Sequence, residues 1–302
     1  KLADSNEKVK LLRNPCNKGS SQCRNLGIEE SSGDYVLFLD QDDYLAPSFI
    51  DETSNHLCQY TGKEIAGFHT SYFIVDEKGE ITAETSYKEI QPEEFLGYQF
   101  VRNRILSNSG TVVKKSVFEQ TGLYDESLKF SQDWDLWLRI GKHGTFSYHK
   151  KPLTYIRRHA NNTSKTIDGF LNDEKRILKK YKLEFIRKTI FQRKLSRHDN
   201  EVSFLSILYR MNNLQILKKT IDRLESEYPN FFDHYFFKGL LFLKELKLND
   251  AIESFEMIIP SSNFSLPAQN NIATSYILQG DHTRACKILE LITRERPDYQ
   301  DA

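Results

Sequence analysis

A short apolar run that ends in carboxylates is the sequence feature that most restricts the fold. The run YVLFLD, residues 35–40, follows a Gly-Asp pair and continues into two more carboxylates, Asp42 and Asp43. A continuous apolar run of this length is typical of a strand buried on both faces of a parallel sheet. The carboxylates Asp40, Asp42 and Asp43 would then lie at the carboxyl end of a strand, where open α/β sheets bind ligands.

The segments around this run alternate between helix and strand signals up to about Arg158. Helices are predicted in SSQCRNLGIEESSGD and PSFIDETSNHLCQYTG, and a short strand is predicted in KVKLLRN. A strand, a turn and a second strand are predicted in IAGFHTSYFIVDEKGEITAET. This alternation indicates an α/β domain.

From about Asn200 the sequence is predicted to be helical and to repeat with a period of 34 residues. Ala251 and Ala285 are one period apart, and apolar residues recur at similar distances around both. Pro229 and Pro297 are two periods apart, and a weaker copy precedes the two clear ones. The spacing resembles that of tetratricopeptide repeats, in which helix pairs stack because a single pair cannot bury its apolar face. An ordinary helical bundle is the alternative.

The chain is therefore predicted to divide into a domain at 1–165, a connector at 166–199 and helical repeats at 200–302. The connector is basic and helical. Its Lys and Arg residues could lie along a membrane surface with anionic lipids, or could form the solvated face of a connecting helix.

Charge and cysteine content restrict the partners and the compartment. The 42 basic residues balance 42 acidic ones, which argues against nucleic-acid binding driven by net charge. Four cysteines without C-x-x-C spacing are expected to be reduced thiols in a cytoplasmic protein. No apolar run reaches the length of about 18 residues that predicts a transmembrane helix, and no signal peptide is evident. Peripheral contact with the inner face of the membrane stays compatible with the basic connector.

The acidic cluster has two interpretations from residue chemistry alone. Carboxylates such as Asp42 and Asp43 suit Mg²⁺ or Mn²⁺, which would offset their repulsion and bind the phosphates of a ligand. Otherwise the segment is a polar loop in which one of these residues caps the next helix. Upstream, Gly19 allows a tight turn before a helix N-terminus that favours anions, and Arg24 adds a positive charge.

Five segments in order resemble the family 2 glycosyltransferases of GT-A fold. Within about residues 10–164 they are NKGSSQCRNLGI, GDYVLFLDQDDYLAP, TGLYDESL, QDWDLWLRIGKHG and PLTYIRRHANNTS. The resemblance implies an α/β, Rossmann-like nucleotide-sugar transferase domain that lacks its first strands, followed by an all-α tetratricopeptide-like domain. It also implies an inverting, metal-dependent transfer of a sugar from a nucleotide-sugar donor, with a UDP-sugar expected, to a glycan, lipid-linked or protein acceptor.

The resemblance assigns roles to individual residues. Asp133 matches the catalytic base that removes the proton of the acceptor hydroxyl, and Trp134 is the candidate platform for an acceptor sugar. Donor binding is implied for Gly19, Arg24, Asp40, Asp42 and Arg157. Binding of Mn²⁺ or Mg²⁺ is implied for Asp42, Asp43 and His159.

Most of these residues also have a purely structural interpretation. Asp133 could cap the helix that begins at WDLWLRI. Trp134 and Trp137 could both be core residues, and Arg24 could simply pair with a neighbouring acid. Gln132 stands where the family usually has Glu, which alters the surroundings of the base.

Two other functions stay open. The chain could be an interaction or scaffold protein, in which a degenerate transferase-like domain accompanies repeats that bind a partner or a second copy. Gln132 and the expected lack of the first strands favour this alternative, whereas the retained Asp133 and the acidic cluster oppose it. A metal-dependent phosphotransferase or nucleotidyltransferase also fits the cluster, but it does not explain QDWDLWLR followed by RRHANNTS.

Overall fold

Two units, Lys1–Arg193 and Lys194–Ala302, make up the chain. The boundary between them falls inside the segment predicted as a connector. The computed structural model describes residues 6–59, 65–87, 90–105, 107–159, 167–296 and 299.

A mixed sheet forms the centre of the first unit. In the described residues its strands are β1 (Tyr35–Leu37), β2 (Tyr44–Leu45), β3 (Ile65–Val75), β4 (Ile81–Thr85), β5 (Val112–Lys114) and β6 (Thr145–Arg157). The order is β1-β5-β3-β6-β2, and β4 pairs with β3 outside this path. β3 and β6 run parallel, whereas the other pairs are antiparallel. The predicted strand, turn and strand at β3 and β4 is confirmed.

The apolar run at residues 35–40 forms a strand that is shorter and less buried than predicted. β1 pairs antiparallel with β5, at the end of the described strand order. Val36 and Phe38 are buried, but Tyr35 and Leu39 are 45% and 49% exposed. The expectation of a parallel strand buried on both faces was therefore wrong, because at this edge alternate side chains face solvent.

The segment KVKLLRN, predicted as a short strand, has no regular structure. Its apolar side chains, Val9, Leu11 and Leu12, are exposed. A strand needs a neighbour to pair with its backbone N–H and C=O groups, and none of the described strands pairs with this segment.

The helices of the first unit pack on the sheet through a core to which α5 contributes most. Leu136, Trp137 and Ile140 of α5 are fully buried in this core, so the core interpretation of Trp137 is confirmed. The helices predicted in residues 20–34 and 47–62 are present as α1 and α2. The described helices of this unit are α1 (Ser20–Glu30), α2 (Phe49–Cys58), α3 (Phe95–Val101), α4 (Val117–Thr121), α5 (Gln132–Ile140), α6 (Ile167–Leu178) and α7 (Leu183–Ile190), with a 3₁₀ turn at Pro92–Glu94.

A buried carboxylate on α5 joins three parts of the first unit. Asp135 is fully buried, and its two oxygens accept hydrogen bonds from Arg139 Nε at 2.9 Å and from Lys180 Nζ at 2.7 Å. Arg139 also donates to the backbone carbonyl oxygens of residues 121–123, at the end of α4. The network therefore fixes α5 against α4 and against the segment that follows α6.

Part of the basic connector is used inside the first unit. Lys180 binds Asp135, and Arg176 donates to the backbone and side-chain oxygens of Ser127. In the parts of the chain that the structure describes, no helix combines the length and the apolar character needed to cross a membrane. Contact of this segment with a membrane surface stays a prediction.

All regular elements among the described residues of the second unit are helices, as predicted. Each helix contacts the next, and α8, α10 and α12 also contact one another in sequence. Ala251 and Ala285, predicted to lie where helices touch, are buried. This nearest-neighbour pattern is consistent with stacked tetratricopeptide-like helix pairs; Pro297 lies outside the described residues. The helices are α8 (Arg197–Arg210), α9 (Leu214–Glu227), α10 (His234–Lys244), α11 (Leu248–Glu256), α12 (Ser265–Gln279) and α13 (His282–Glu295).

A close helix contact in one repeat has a counterpart in the sequence of the next repeat. A Cβ atom at Gly239 of α10 would lie 2.6 Å from the ring of Phe255, which is buried on α11. One period of 34 residues later, the same two positions hold Ala273 and Leu289. The small residue thus becomes larger where the facing residue becomes smaller.

We expect Gly239→Ala to lower the free energy of unfolding of the second unit by about 1–2 kcal/mol, because the new methyl group displaces the buried ring. Phe255→Leu alone should cost about 1 kcal/mol through lost packing volume. The double variant, which copies the Ala273–Leu289 pair, should be more stable than the sum of the single changes. Urea unfolding followed by circular dichroism measures this, and strictly additive effects would contradict the steric coupling.

Candidate active site

A cleft of about 900 Å³ in the first unit brings distant parts of the sequence together. Its walls come from α1, from the segment after β1, from the segment between α3 and β5, from the N-terminal end of α5, from the end of β6 and from α6. Gly19 is not among the lining residues, although it precedes α1 with a φ of 83° and its neighbour Ser20 lines the cleft. Eight of the nine residues singled out from the sequence line the cleft: Arg24, Asp40, Asp42, Asp43, Asp133, Trp134, Arg157 and His159.

Two carboxylates of the acidic cluster pair with groups from other elements. Asp40 Oδ1 accepts a hydrogen bond from Arg24 Nη2 at 2.6 Å, and Asp42 Oδ2 lies 3.0 Å from His159 Nε2. Burial lowers the pKa of Arg24, but the charge and hydrogen bond of Asp40 outweigh burial and hold this pKa above its ordinary value. The repulsion between the acids is thus offset by an arginine and by a hydrogen-bonding histidine.

The third carboxylate, Asp43, has a structural position. It accepts hydrogen bonds from the Ser109 hydroxyl at 2.5 Å and from the backbone N–H of Arg157 at 2.8 Å. Burial raises its pKa, as do the charges of Asp42 and Asp40, against the effect of these two hydrogen bonds. These two hydrogen bonds fasten the acidic loop to β6, and the binding of a metal ion by Asp43 stays a prediction.

The guanidinium of Arg157 is also engaged by the protein. It donates to the backbone carbonyl oxygens of Asp42, Asp76 and Glu77 at 2.8–3.2 Å, and so holds the turn between β3 and β4. The structure therefore favours a scaffolding role for this side chain over the predicted contact with the donor. The next residue, Arg158, is exposed and lines the cleft.

Asp133 occupies the first turn of α5 and faces the cleft. Its Oδ1 accepts from the backbone N–H of Trp134 at 2.8 Å, and its Oδ2 accepts from Asn103 Nδ2 at 3.1 Å. Burial raises the pKa of Asp133 to about 6, against these hydrogen bonds and the charge of Arg24. The helix begins at Gln132 with Ser131 at its N-cap position, so Asp133 is not the cap residue considered above.

The prediction that Trp134 offers a platform to an acceptor sugar was wrong. Trp134 is only 2% exposed, and its indole N–H donates a hydrogen bond to the carbonyl oxygen of Gln99 at 2.6 Å. A ring packed in this way has no free face to present. The half-buried aromatic rings that line the cleft on this side are those of Phe130 and Phe170.

Asn103 and Ser109 were missed by the sequence analysis. Asn103 contacts a carboxylate 30 residues away in the chain, and Ser109 contacts one 66 residues away. Neither position belongs to a local motif. The polar run SNSG at residues 107–110, before an apolar pair, was the signal that could have indicated Ser109.

Among the described residues, the cleft offers only part of the donor set that a metal ion needs. The described ranges contain no group of three or more Asp, Glu, His or Cys side chains that could hold an ion. Asp42 and His159 offer one carboxylate and one imidazole, a pair that suits Mn²⁺ better than Mg²⁺. A cation bound here would take its other ligands from water or from a phosphate-bearing ligand.

Several curated proteins are similar in sequence to this chain. An uncharacterized glycosyltransferase of Haemophilus influenzae is 28% identical over 163 residues, or 53% of this chain and 54% of that protein. An uncharacterized glycosyltransferase of Rickettsia prowazekii is 25% identical, over 50% of this chain and 48% of that protein. Another from H. influenzae is 22% identical, over 85% of this chain and 80% of that protein. The chain thus spans about half the length of the first two.

Solved structures show weaker similarity. S. aureus TarS 1–349 gives a TM-score of 0.44 at 14% identity, over 95% of this chain and 74% of that one. YrrB, described as a TPR protein with an unusual peptide-binding site, gives a TM-score of 0.31 at 13% identity, over 45% of this chain and 65% of that one. Both scores are too low to support an argument about function.

The family comparison covers the unit that contains the cleft. The model of the glycosyltransferase-like family 2 matches residues 2–176, which include every wall of the cleft. This match confirms the resemblance inferred from the five ordered segments. The chain therefore belongs to the glycosyltransferase-like family 2.

Proposed function

We propose that the protein is an inverting glycosyltransferase that moves a sugar from a UDP-sugar to an acceptor hydroxyl. The observation that carries the proposal is the position of Asp133. It is a carboxylate with a pKa of about 6 in the same cleft as the Asp42–His159 pair. A general base is most effective when its pKa lies near the working pH.

The donor would bind on the side of the cleft formed by the acidic loop. Asp40 and Asp42 are proposed to contact the donor, while Arg158 and the N-terminal end of α1 favour its diphosphate. Asp42 and His159 would hold a divalent cation, Mn²⁺ before Mg²⁺. When bound, such a cation supplies positive charge to the diphosphate leaving group.

The chemical step would use Asp133 as the general base. Its carboxylate takes the proton of the acceptor hydroxyl while that oxygen forms a bond to the anomeric carbon of the sugar. The bond from this carbon to the diphosphate breaks, and its electron pair leaves with UDP. One displacement inverts the anomeric centre. Asn103 and the backbone N–H of Trp134 hold the carboxylate in one orientation, which makes Asn103 a positioning residue.

The remaining assignments also belong to this proposal. The acceptor is a glycan, a lipid-linked sugar or a protein, and the reaction takes place in the cytoplasm or at the inner face of the membrane. The helical repeats would bind the acceptor, a protein partner or a second copy, because stacked helix pairs make extended concave surfaces.

The proposal is tested by incubating the full-length protein with a panel of UDP-sugars and Mn²⁺ or Mg²⁺ and measuring UDP release. Release with at least one donor, abolished by a chelator and restored by Mn²⁺, supports it. If no donor gives UDP and calorimetry detects no donor binding, the scaffold alternative is favoured instead.

Asp42→Ala and His159→Ala should each raise the Mn²⁺ concentration required for half-maximal turnover by about tenfold or more, since each removes one of the proposed ligands. Asp51→Ala is the matched control, because Asp51 is an exposed carboxylate on α2 outside the cleft. Titration of UDP release with Mn²⁺ at saturating donor measures the effect. An unchanged Mn²⁺ requirement in both variants would exclude this pair as the metal site.

A further inference from the structure

We propose that the acceptor is a pyranose sugar, stacked on Phe130 and Phe170 with one of its hydroxyls bound by Gln132. This inference rests on the proposed transferase function and narrows its acceptor class. It starts from the finding that Trp134 is buried, so any aromatic platform beside Asp133 must come from other residues.

Phe130 and Phe170 form an aromatic wall next to the proposed base. Their ring centroids are 5.0 Å apart at an interplanar angle of 48°, and both side chains are half-buried and line the cleft. Phe130 lies three residues before Asp133, whereas Phe170 lies on α6. A sugar ring carries an apolar C–H face that packs on such rings, while its hydroxyls stay available for polar contacts.

This wall is held in place before any ligand binds. Asp173 of α6 is 6% exposed and accepts hydrogen bonds from the backbone N–H groups of Lys129 and Phe130, at 2.9 and 3.0 Å. Gly169 lies so close to Phe130 that a Cβ atom there would overlap the ring. A wall that is already ordered loses little conformational freedom when it binds a ligand, which favours affinity.

Gln132 supplies an acceptor atom that the protein leaves unpaired. Its Nε2 donates to the Ser20 hydroxyl at 3.1 Å, but its buried Oε1 has no hydrogen-bond partner within the described ranges. A buried polar atom without a partner is costly, and a ligand hydroxyl that donates to Oε1 would remove that cost. Gln132 and Asp133 both line the cleft, so one bound sugar would present a different hydroxyl to each of them.

These features together select a pyranose over other hydroxyl acceptors. A serine side chain offers one hydroxyl and no ring, and an open-chain polyol offers hydroxyls without a rigid apolar face. A pyranose provides the flat C–H face for Phe130 and Phe170, one hydroxyl for Asp133 and another for Gln132. The same reasoning explains why a neutral amide suits position 132, since Oε1 can accept from a hydroxyl without adding a second negative charge beside the base.

The test measures UDP release from the active donor, in the full chain, with and without added acceptors. The probes are methyl pyranosides, their single-deoxy analogues, ribitol and a serine-containing peptide. We expect methyl pyranosides to accelerate UDP release above the acceptor-free hydrolysis rate. Phe170→Leu should raise the KM of the methyl pyranosides at least tenfold, whereas Phe170→Trp, which keeps an aromatic ring at this position, should leave that KM near the wild-type value. Phe191→Leu, at a half-buried ring outside the cleft, is the control.

Gln132→Ala gives an independent readout. In the wild type, the deoxy analogue that lacks the hydroxyl bound by Gln132 should be a poorer acceptor than the parent methyl pyranoside. This difference should vanish in Gln132→Ala, because the variant cannot bind that hydroxyl. Acceleration by ribitol or the peptide but not by pyranosides, or an unchanged KM in Phe170→Leu, would overturn the inference while leaving the transferase function intact.

If no donor is hydrolysed at all, the proposed function fails but the acceptor site can still be examined. Saturation-transfer NMR with methyl pyranosides should then show signal at ring C–H protons in the wild type and its loss in Phe170→Leu. Absence of that signal in the wild type would overturn the inference as well.

Discussion

Asp133→Asn is expected to slow sugar transfer by about 100- to 10,000-fold while donor binding is retained. An amide cannot take up the acceptor proton, but it keeps the size of the carboxylate and can still accept from the backbone N–H of Trp134 at the position of Oδ1. UDP release measures the first effect, and calorimetric titration with donor and Mn²⁺ measures the second. Transfer that survives at more than a tenth of the wild-type rate would exclude Asp133 as the base.

The pH dependence of the wild type should identify the same group. Because burial raises the pKa of Asp133 to about 6, the rate should fall about tenfold for each pH unit below that value and level off above it. The residual activity of Asp133→Asn should lack this acidic limb. A wild-type rate that stays constant between about pH 5 and 8 would contradict a base with this pKa.

The same variant should be more stable than the wild type near pH 7.5. The pKa of Asp133 rises from an ordinary 3.8 to about 6 on folding, so the folded state disfavours the charged form. The protonated form of Asp133 contributes stability that is fully present below about pH 4. This contribution is lost as the pH rises through about 6, which lowers the free energy of unfolding by up to about 3 kcal/mol. Asparagine stays neutral, although it gives up one accepted hydrogen bond. The melting temperatures should therefore differ at pH 7.5 and converge near pH 4.

Arg139→Leu should lower the free energy of unfolding of the first unit by about 3–5 kcal/mol. After this change, Lys180 is the cationic group of the network that still pairs with the fully buried Asp135. It also removes the donor for the carbonyl oxygens of residues 121–123, of which those of Thr121 and Leu123 are partly buried and lose a hydrogen bond that water replaces only in part. Urea unfolding, followed by tryptophan fluorescence, measures the effect in the first unit, where both tryptophans lie.

Two further variants separate the buried network from a general effect of losing an arginine. Arg284→Leu removes an arginine whose side chain is 63% exposed, in the second unit, and should leave the unfolding of the first unit unchanged. The double variant Arg139→Leu/Asp135→Leu removes both charges and should recover part of the lost stability. If Arg139→Leu costs less than about 1 kcal/mol, Lys180 alone is enough to neutralise Asp135.

Local patterns predicted the elements whose structure depends on near neighbours. α1, α2, the β3–β4 pair and the helices after about Asn200 all appeared where periodicity and turn residues placed them. The predictions failed for two predicted strands, whose formation and burial depend on contacts with segments that are distant in the sequence. β1 is partly exposed and KVKLLRN is irregular. A strand is stable only when neighbouring strands pair with its backbone, and the local sequence does not show which segments these will be.

The sequence by itself predicted that Asp40, Asp42, Asp133 and His159 belong to one site, because they lie in three of the five segments that resemble the family. Only the tertiary structure decided what each of them can do there. Asp43 is held by groups 66 and 114 residues away, Trp134 is buried, and the pKa of Asp133 follows from burial that no local pattern records. The physical reason is that residue type sets which chemistry is available, whereas exposure and hydrogen-bond partners, which come from distant segments, set which chemistry is used.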